Sequence, residues 1–364
     1  MMKVLLASPY GGVPGGISRW TEHIMLYYKT LQSPKCELTL LPMGRSSFVS
    51  VGSGLFYRLK AAFFDYKHII SSYKKLVKEN KYDVMHLTSS ASLSLLKDLY
   101  MLRHAHNNNI KTVIHFRFGR IPELAIKKNW EWKLLRKVVS LANTVIVLDK
   151  QSYDTLREHG YKNVIMLPNP VAPGVNTIVE YNSELKRIPN TILFTGHVIK
   201  TKGVYELIEA CNQIPGVKLR MVGHVEDDMK QSLLPLASCD LEIIGEMPYE
   251  DVIKEMLKCD VFVLPTYTEG FPNVILESMA AGCAIVTTNV GAIPQMLEDE
   301  DGKKYGIIVN PRDVQSLVFG IKKLLTDEEL KAECRRNVKV RVNERYSIGS
   351  IWNSMCEIWS QTLM

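Results

Sequence analysis

Two carboxylates eight residues apart, Glu269 and Glu277, bracket the run Gly270-Phe271-Pro272-Asn273-Val274-Ile275-Leu276. The short apolar run Val261–Leu264 before them reads as a buried strand, and Ser278, Met279, Ala280 and Ala281 continue a helical pattern beyond them. Glu269 then belongs to the loop above a strand, with Glu277 about one turn inside a helix. Proline suits the first helical position, where a missing N–H costs nothing, so Pro272 is predicted to open that helix. The amides of Gly270, Phe271, Asn273 and Val274 would then point out of the helix start and form an anion site. Two carboxylates beside a phosphate-type site suit the hydroxyls of a sugar nucleotide, one holding a ribose and the other a transferred sugar. A helix-capping Glu beside a solvated one is the plainer alternative.

The surroundings sharpen this. After the helix come Gly282, the strand-like run Ala284–Thr288 and the turn Gly291-Ala292-Ile293-Pro294-Gln295. An earlier strand-like run ends in Thr195-Gly196-His197-Val198-Ile199-Lys200-Thr201-Lys202-Gly203. These segments resemble the retaining family-4 glycosyltransferases of the GT-B fold. Glu269 to Glu277 is similar to the family's E-x7-E motif, residues 291–295 to its turn of a Gly followed by Pro-Glu/Gln, and Gly196–Gly203 to its Gly-Arg-x-x-x-x-Lys-Gly. The resemblance runs from about residue 3 to 345 and is densest over 191–311.

The resemblance implies an α/β protein of two doubly wound Rossmann-like domains facing across a cleft. It implies a metal-independent transferase that uses no cofactor and takes a nucleotide-diphosphate sugar, with UDP as the carrier, as donor. In the family the Arg and Lys of the Gly-Arg motif clamp the donor diphosphate. Lys202 fits the lysine's part, a point charge neutralising the leaving phosphate. His197 stands where Arg is usual and, unlike Arg, is not permanently charged at neutral pH; Lys200 could supply the missing charge. The implied donor-binding set is Gly15, Gly16, Gly196, His197, Lys202, Gly270, Phe271, Pro272, Asn273 and Glu277. The implied catalytic set is His115, Lys202 and Glu269.

His115 closes the strand-like run Lys111–Phe116, where family members often place a His close to the transferred sugar; Phe116 follows it, in place of the usual polar residue. A structural histidine satisfied in the core is the competing reading. Arg117 and Arg120 add positive charge nearby. The loop Gly11-Gly12-Val13-Pro14-Gly15-Gly16 follows the first strand and lacks the G-x-G-x-x-G spacing of a dinucleotide fingerprint. Its glycines would let backbone approach a pyrophosphate. Asp299-Glu300-Asp301 matches an Asp-x-Asp metal pattern, but it lies in a charged turn with no further ligands gathered and reads as a solvated loop. No metal site is expected.

A chain of 364 residues suggests two domains. Twelve strand-like runs alternate with helical stretches, six in each half, which means βαβ units and parallel sheets with ligands at the carboxyl ends of the strands. The turn-rich stretch Pro168–Gly174 through Pro189-Asn190 marks the linker. The expected division is 1–175, 176–345 and a helical tail over 346–364. The resemblance implies that the first takes the acceptor, the second the nucleotide sugar, and that the tail crosses back to the first domain, a helix packed only on the second domain being the alternative. No apolar run approaches the ~18 residues of a membrane span, and the apolar part of Met1–Ser8 is too short for a signal peptide. Seven scattered cysteines without Cys-x-x-Cys point to reduced thiols and a cytoplasmic setting.

Charge is uneven. Residues 1–180 hold 25 Lys and Arg against 12 Asp and Glu, a net +13, while residues 181–364 hold 20 against 26, a net −6. With no nucleic-acid-binding pattern, an anionic membrane surface is the better partner for the basic half. Phe56, Leu59, Phe63, Tyr66, Ile70, Tyr73 and Val77 form one apolar stripe on a long helix with Arg58, Lys60, Lys67, Lys74, Lys75 and Lys78 around it. That is either a core helix with a basic back or an interfacial helix on anionic lipid. Lys127, Lys128, Trp130, Trp132 and Lys133 form an aromatic-basic patch pointing to lipid. The function expected is transfer of a hexose-type sugar to a saccharide or polyprenyl-linked glycan in capsule or other surface polysaccharide biosynthesis, by a cytoplasmic enzyme peripheral to the membrane. A non-hydrolysing sugar-nucleotide epimerase of the same two-domain fold is the alternative.

Overall fold

The computed structural model describes residues 1–11, 15–44, 55–298 and 302–364, with side chains from 55 to 64 excepted. Part of the glycine-rich loop, the Asp299–Asp301 turn, and the Phe56, Leu59, Phe63, Arg58 and Lys60 side chains therefore lie outside the described residues. The chain divides into two compact units, Met1–Asn169 with Ile348–Met364, and Pro170–Ser347.

Unit 1 is built on six parallel strands, β1 (Met2–Ser8), β2 (Cys36–Pro42), β3 (Val84–Ser89), β4 (Lys111–Phe116), β5 (Thr144–Val147) and β6 (Val164–Met166). Their order is β2-β1-β3-β4-β5-β6. Side chains alternate between the two faces as the pleat requires. Leu5, Ala7, Met85, Leu87 and Ile114 join one core, while Val4, Leu6, Val84, Val113 and Ile146 join the other. The second core is closed by the helix Ile348–Leu363, whose Ile351, Trp352, Met355, Ile358 and Trp359 recur at helical spacing and are all buried. Thr362 Oγ1 of that helix lies 2.8 Å from Thr144 Oγ1.

The helix Leu55–Glu79 turns its apolar side to the first core. Tyr73 is fully buried and donates to Met101 O at 3.1 Å, with Tyr66 and Val77 packed nearby. Of the described stripe residues, Tyr66, Tyr73 and Val77 thus belong to the core, while Ile70 is half-buried. Trp132 is buried too, while Trp130 stays exposed.

Unit 2 repeats the architecture with β7 (Thr191–Thr195), β8 (Lys218–Val222), β9 (Asp240–Gly245), β10 (Val261–Leu264), β11 (Ala284–Thr288) and β12 (Ile307–Val309), in the order β12-β11-β10-β7-β8-β9. Strand order reverses between β7 and β10, and in unit 1 between β1 and β3. Such switch points open crevices at the carboxyl ends of parallel strands. Arg187 pins two helices of unit 2 from behind. Its guanidinium donates to Met256 O (2.5 Å) and Cys259 O (3.0 Å) at the end of the helix Tyr249–Lys258. It also donates to Ala281 O (2.7 Å) and Gly282 O (2.9 Å) at the end of the helix Asn273–Ala280. A fixed cation at two helix C-termini meets carbonyls that lack intrahelical partners. No helix among the described residues is long and apolar enough to cross a membrane.

Candidate active site

The crevice at the β7–β10 switch point gathers the residues singled out in the second half of the sequence. After β7 the chain makes a short 3-10 turn, Lys200–Lys202. Gly203 follows at φ +72°, so close to the end of β10 that a Cβ would lie 2.0 Å from Pro265 O. Only glycine fits there without moving backbone. Tyr267 N donates to Thr201 O at 2.9 Å, tying this turn to the loop beyond β10. The two loops therefore hold one geometry, and Lys202 Nζ of the first forms a close ion pair with Glu269 Oε1 of the second.

The Glu269 loop is braced from its other side. A Cβ on Gly291 would lie 2.3 Å from Glu269 O, and Ala292 N donates to Gly270 O at 2.9 Å. Thr288 Oγ1 donates to Thr266 O at 2.5 Å, and Thr287 Oγ1 to Leu264 O at 2.8 Å, which ties β11 to the end of β10. The turn over residues 291–295 thus shapes the loop that carries the first carboxylate.

The helix start corrects one expectation. Pro272 is the cap (φ −74°, ψ 111°) and the helix begins at Asn273, because Pro272 O accepts the first turn bond, from Ile275 N at 3.1 Å. Phe271 is buried edge-on against Tyr346, with ring centroids 5.8 Å apart, and Pro272 is buried as well. These two residues can meet a ligand only through backbone. Glu277, one turn into the helix, accepts a 3.2 Å hydrogen bond from Tyr249 OH.

Gly196 and His197 follow β7, with His197 exposed. Beside it stands His224, which sequence reasoning missed; the two rings meet edge-on at 5.8 Å. The signal was present: Gly-His-Val occurs at 196–198 after β7 and again at 223–225 after β8. The two loops pack backbone to backbone, with Val198 N donating to His224 O at 2.8 Å. His224 also lies 3.1 Å from Glu226 and 3.8 Å from Glu246. Lysine, histidines, helix amides and two carboxylates at one strand-end crevice can bind a diphosphate and the hydroxyls attached to it.

In unit 1, Gly15 and Gly16 open the helix Gly16–Thr30, and Gly15 N donates to Ser18 Oγ at 2.9 Å. Both line a cavity of about 350 Å³ at the β1–β3 switch point, together with Met43, Tyr66, Ser90 and Lys97. Lys97 is buried with its ammonium 2.7 Å from Asp98.

His115 does not line that cavity. Its ring is fully buried, with Nδ1 3.2 Å from His86 Nε2 and Nε2 3.1 Å from Arg117. Trp359 Nε1 donates to His86 Nδ1 at 3.0 Å, and Trp20 lies edge-on to His115 at 5.4 Å. A ring without exposed surface, neighboured at both nitrogens, has the setting of the structural histidine that the sequence left open beside a catalytic part.

Burial, then the Arg117 charge, pushes His86 down to about 3, and burial, then Arg117 and His86, holds His115 well below the ordinary histidine value. Folded, both stay neutral; unfolded, both protonate below about pH 6.5. Their contribution to stability is complete above that pH and is lost on acidification, for His86 as pH falls from about 6.5 towards 3, because the unfolded chain then binds protons that the folded one does not. Urea unfolding of wild type is expected to weaken more steeply on acidification than that of a His86→Gln variant. Equal slopes would show that these rings do not drive the acid sensitivity.

Comparison with known proteins agrees with this geometry. Sucrose-phosphate synthase from Thermosynechococcus elongatus superposes with a TM-score of 0.74 at 18% identity, covering 99% of each chain. HepE from Anabaena, in complex with UDP, superposes at 0.70 and 18% identity, over 99% of this chain and 100% of that one. The fold is that of the GT-B glycosyltransferases. Residues 41–174 match the family described as Glycosyltransferase Family 4, and residues 180–341 match Glycosyl transferases group 1. The chain belongs to these family-4-type glycosyltransferases and is a transferase. A curated relative, the capsular polysaccharide biosynthesis glycosyltransferase CapM of Staphylococcus aureus, is 27% identical over 247 residues, 66% of this chain and 61% of CapM.

Proposed function

We propose that the enzyme transfers a hexose-type sugar, with retention, from a UDP-sugar to a saccharide or polyprenyl-linked saccharide during surface polysaccharide assembly. The carrying observation is the Lys202–Glu269 pair at the β7–β10 switch point, beside a helix start whose second carboxylate, Glu277, is one turn away. In this reading Lys202 exchanges Glu269 for the donor diphosphate and neutralises it as it leaves. The released Glu269 and the helix amides orient the transferred sugar, and Glu277 holds the ribose. Gly196 and His197, with His224, flank the diphosphate. The nucleotide bound by HepE and the name of CapM support donor and pathway class.

The cavity of unit 1 is assigned to the acceptor. At about 350 Å³, with Tyr66 and Met43 on its wall and Ser90, Ser94 and Lys97 among its polar groups, it suits a sugar ring. The net positive charge of residues 1–180 favours work at an anionic membrane surface, where a lipid-linked acceptor is presented.

The test is to incubate UDP-sugars with and without a polyprenyl-diphosphate saccharide and follow products by mass and anomeric configuration. Acceptor-dependent transfer with the donor's anomeric configuration kept is expected. It should persist in excess EDTA, since Lys202 and helix amides carry the charge work. An isomerised sugar nucleotide formed from donor alone would replace this reading with the epimerase one.

A further inference from the structure

One strongly charged surface of unit 1 has no part in either site. The helices Ser94–Asn107 and Trp130–Leu141 flank an open groove lined by Leu99, Arg103, Lys133, Arg136, Lys137 and Tyr161. Lys133, Arg136 and Lys137 recur at spacings of three and four, so they project from one face of their helix, and Arg103 joins them from the other. All four are exposed.

The nearby acids are engaged elsewhere. Glu131 pairs with Arg120, Asp98 with Lys97, Glu123 with Lys127 and Asp154 with Lys150. Among the described residues no carboxylate forms an ion pair with any of the four cations. Arg136 Nε instead donates to Tyr161 OH at 3.2 Å. Four like charges around one groove repel each other, and an anion between them converts that repulsion into binding.

The choice of anion follows from what surrounds the charges. One turn before Leu99 stands Leu96, and one turn before Lys133 stands Trp130, more than half exposed each. Ile126, just upstream in sequence, is 81% exposed. Lys74 of the helix Leu55–Glu79 sits over the Tyr100 ring at 5.3 Å and extends the basic surface. Exposed Trp and aliphatic side chains beside Lys and Arg are the composition of a surface that enters the headgroup layer of a bilayer.

We infer that this face docks on anionic phospholipid, with a headgroup phosphate seated among Arg103, Lys133, Arg136 and Lys137 and with Leu96 and Trp130 at the acyl boundary. The inference rests on the membrane reading above and locates it on two helices the sequence had not joined.

The experiment uses the full chain and vesicles of phosphatidylcholine with or without phosphatidylglycerol. Wild type is compared with Lys133→Gln/Arg136→Gln/Lys137→Gln and with a control of equal charge change in unit 2, Lys230→Gln/Lys322→Gln/Arg336→Gln. Three lost cations near an anionic surface correspond to a drop on the order of 100-fold in partitioning. The expected result is that drop for the groove variant, wild-type partitioning for the control, and unchanged thermal melting for both. Equal losses in the two variants, or none in the groove variant while wild type binds, overturn the groove and leave membrane association standing. Failure of wild type to bind either vesicle overturns both. A heparin column that retains wild type and control but not the groove variant, without vesicle binding, would assign the groove to a soluble polyanion instead.

Discussion

Replacing Lys202 by alanine is expected to lower kcat on a UDP-sugar by about 10²–10³-fold, the cost of removing one electrostatic group from a developing anion. The fall should exceed any change in KM, because the charge on the leaving diphosphate grows only as the glycosidic bond breaks. Glu269→Gln should also act mainly on turnover. Glu277→Gln, which removes one charge-assisted hydrogen bond of about 1.5–3 kcal/mol, should act mainly on donor binding. Lys202 and Glu269 are each other's partner in the structure, so the double variant should fall short of the product of the single effects. Steady-state kinetics on the four proteins decide it. Wild-type values in all of them would falsify the site assignment.

Arg187→Ala should be the most damaging substitution in unit 2 for stability. The guanidinium donates four hydrogen bonds to the carbonyl ends of two helices, one of which carries Glu277. Bonds to a charged donor contribute about 1.5–3 kcal/mol each, and the abandoned carbonyls regain water only in part. A net loss of about 3–5 kcal/mol is expected, which for a unit of this size lowers Tm by roughly 6–20 °C. Arg187→Lys keeps the charge but not the fork and should recover only part of the loss. A Tm within experimental error of wild type for Arg187→Ala would mean that water caps those helices as well as arginine does.

The twelve strands could be read from the sequence because each is a short run between turn residues, and in the central strands β1, β3, β4, β5, β7, β10 and β11 burial on both faces makes that run largely apolar. The Glu269–Glu277 loop was legible for a related reason: its chemistry is contiguous, so one strand–loop–helix unit carries it. Contacts between distant segments were not. Tyr249 reaches Glu277 across 28 residues and Arg187 reaches Ala281 across 94, and no local spacing encodes either. Pro272 misled by one position, since a proline fits a cap as readily as the first helical turn. His115 left two readings open because a strand end has two sides. Its backbone lies at the carboxyl edge of β4, but its ring turns into the core between Trp20 and His86.

Unit 1 is assembled from two stretches of chain separated by all of unit 2, and this fixes a timetable for synthesis. While residues 170–347 are being added, on the order of 10–35 s at 5–20 residues per second, one face of the first sheet waits without the helix Ile348–Leu363. Trp20, Ile24, Val84, Val113 and Ile146, packed on one another and on the sheet, lack the rest of their cover until Trp352, Met355 and Trp359 arrive. Unit 2, contiguous in sequence, can close in that interval. The part of the molecule translated first is therefore the last to be finished, and a ribosome stalled before residue 348 would release a chain with its second unit complete and its first still sticky.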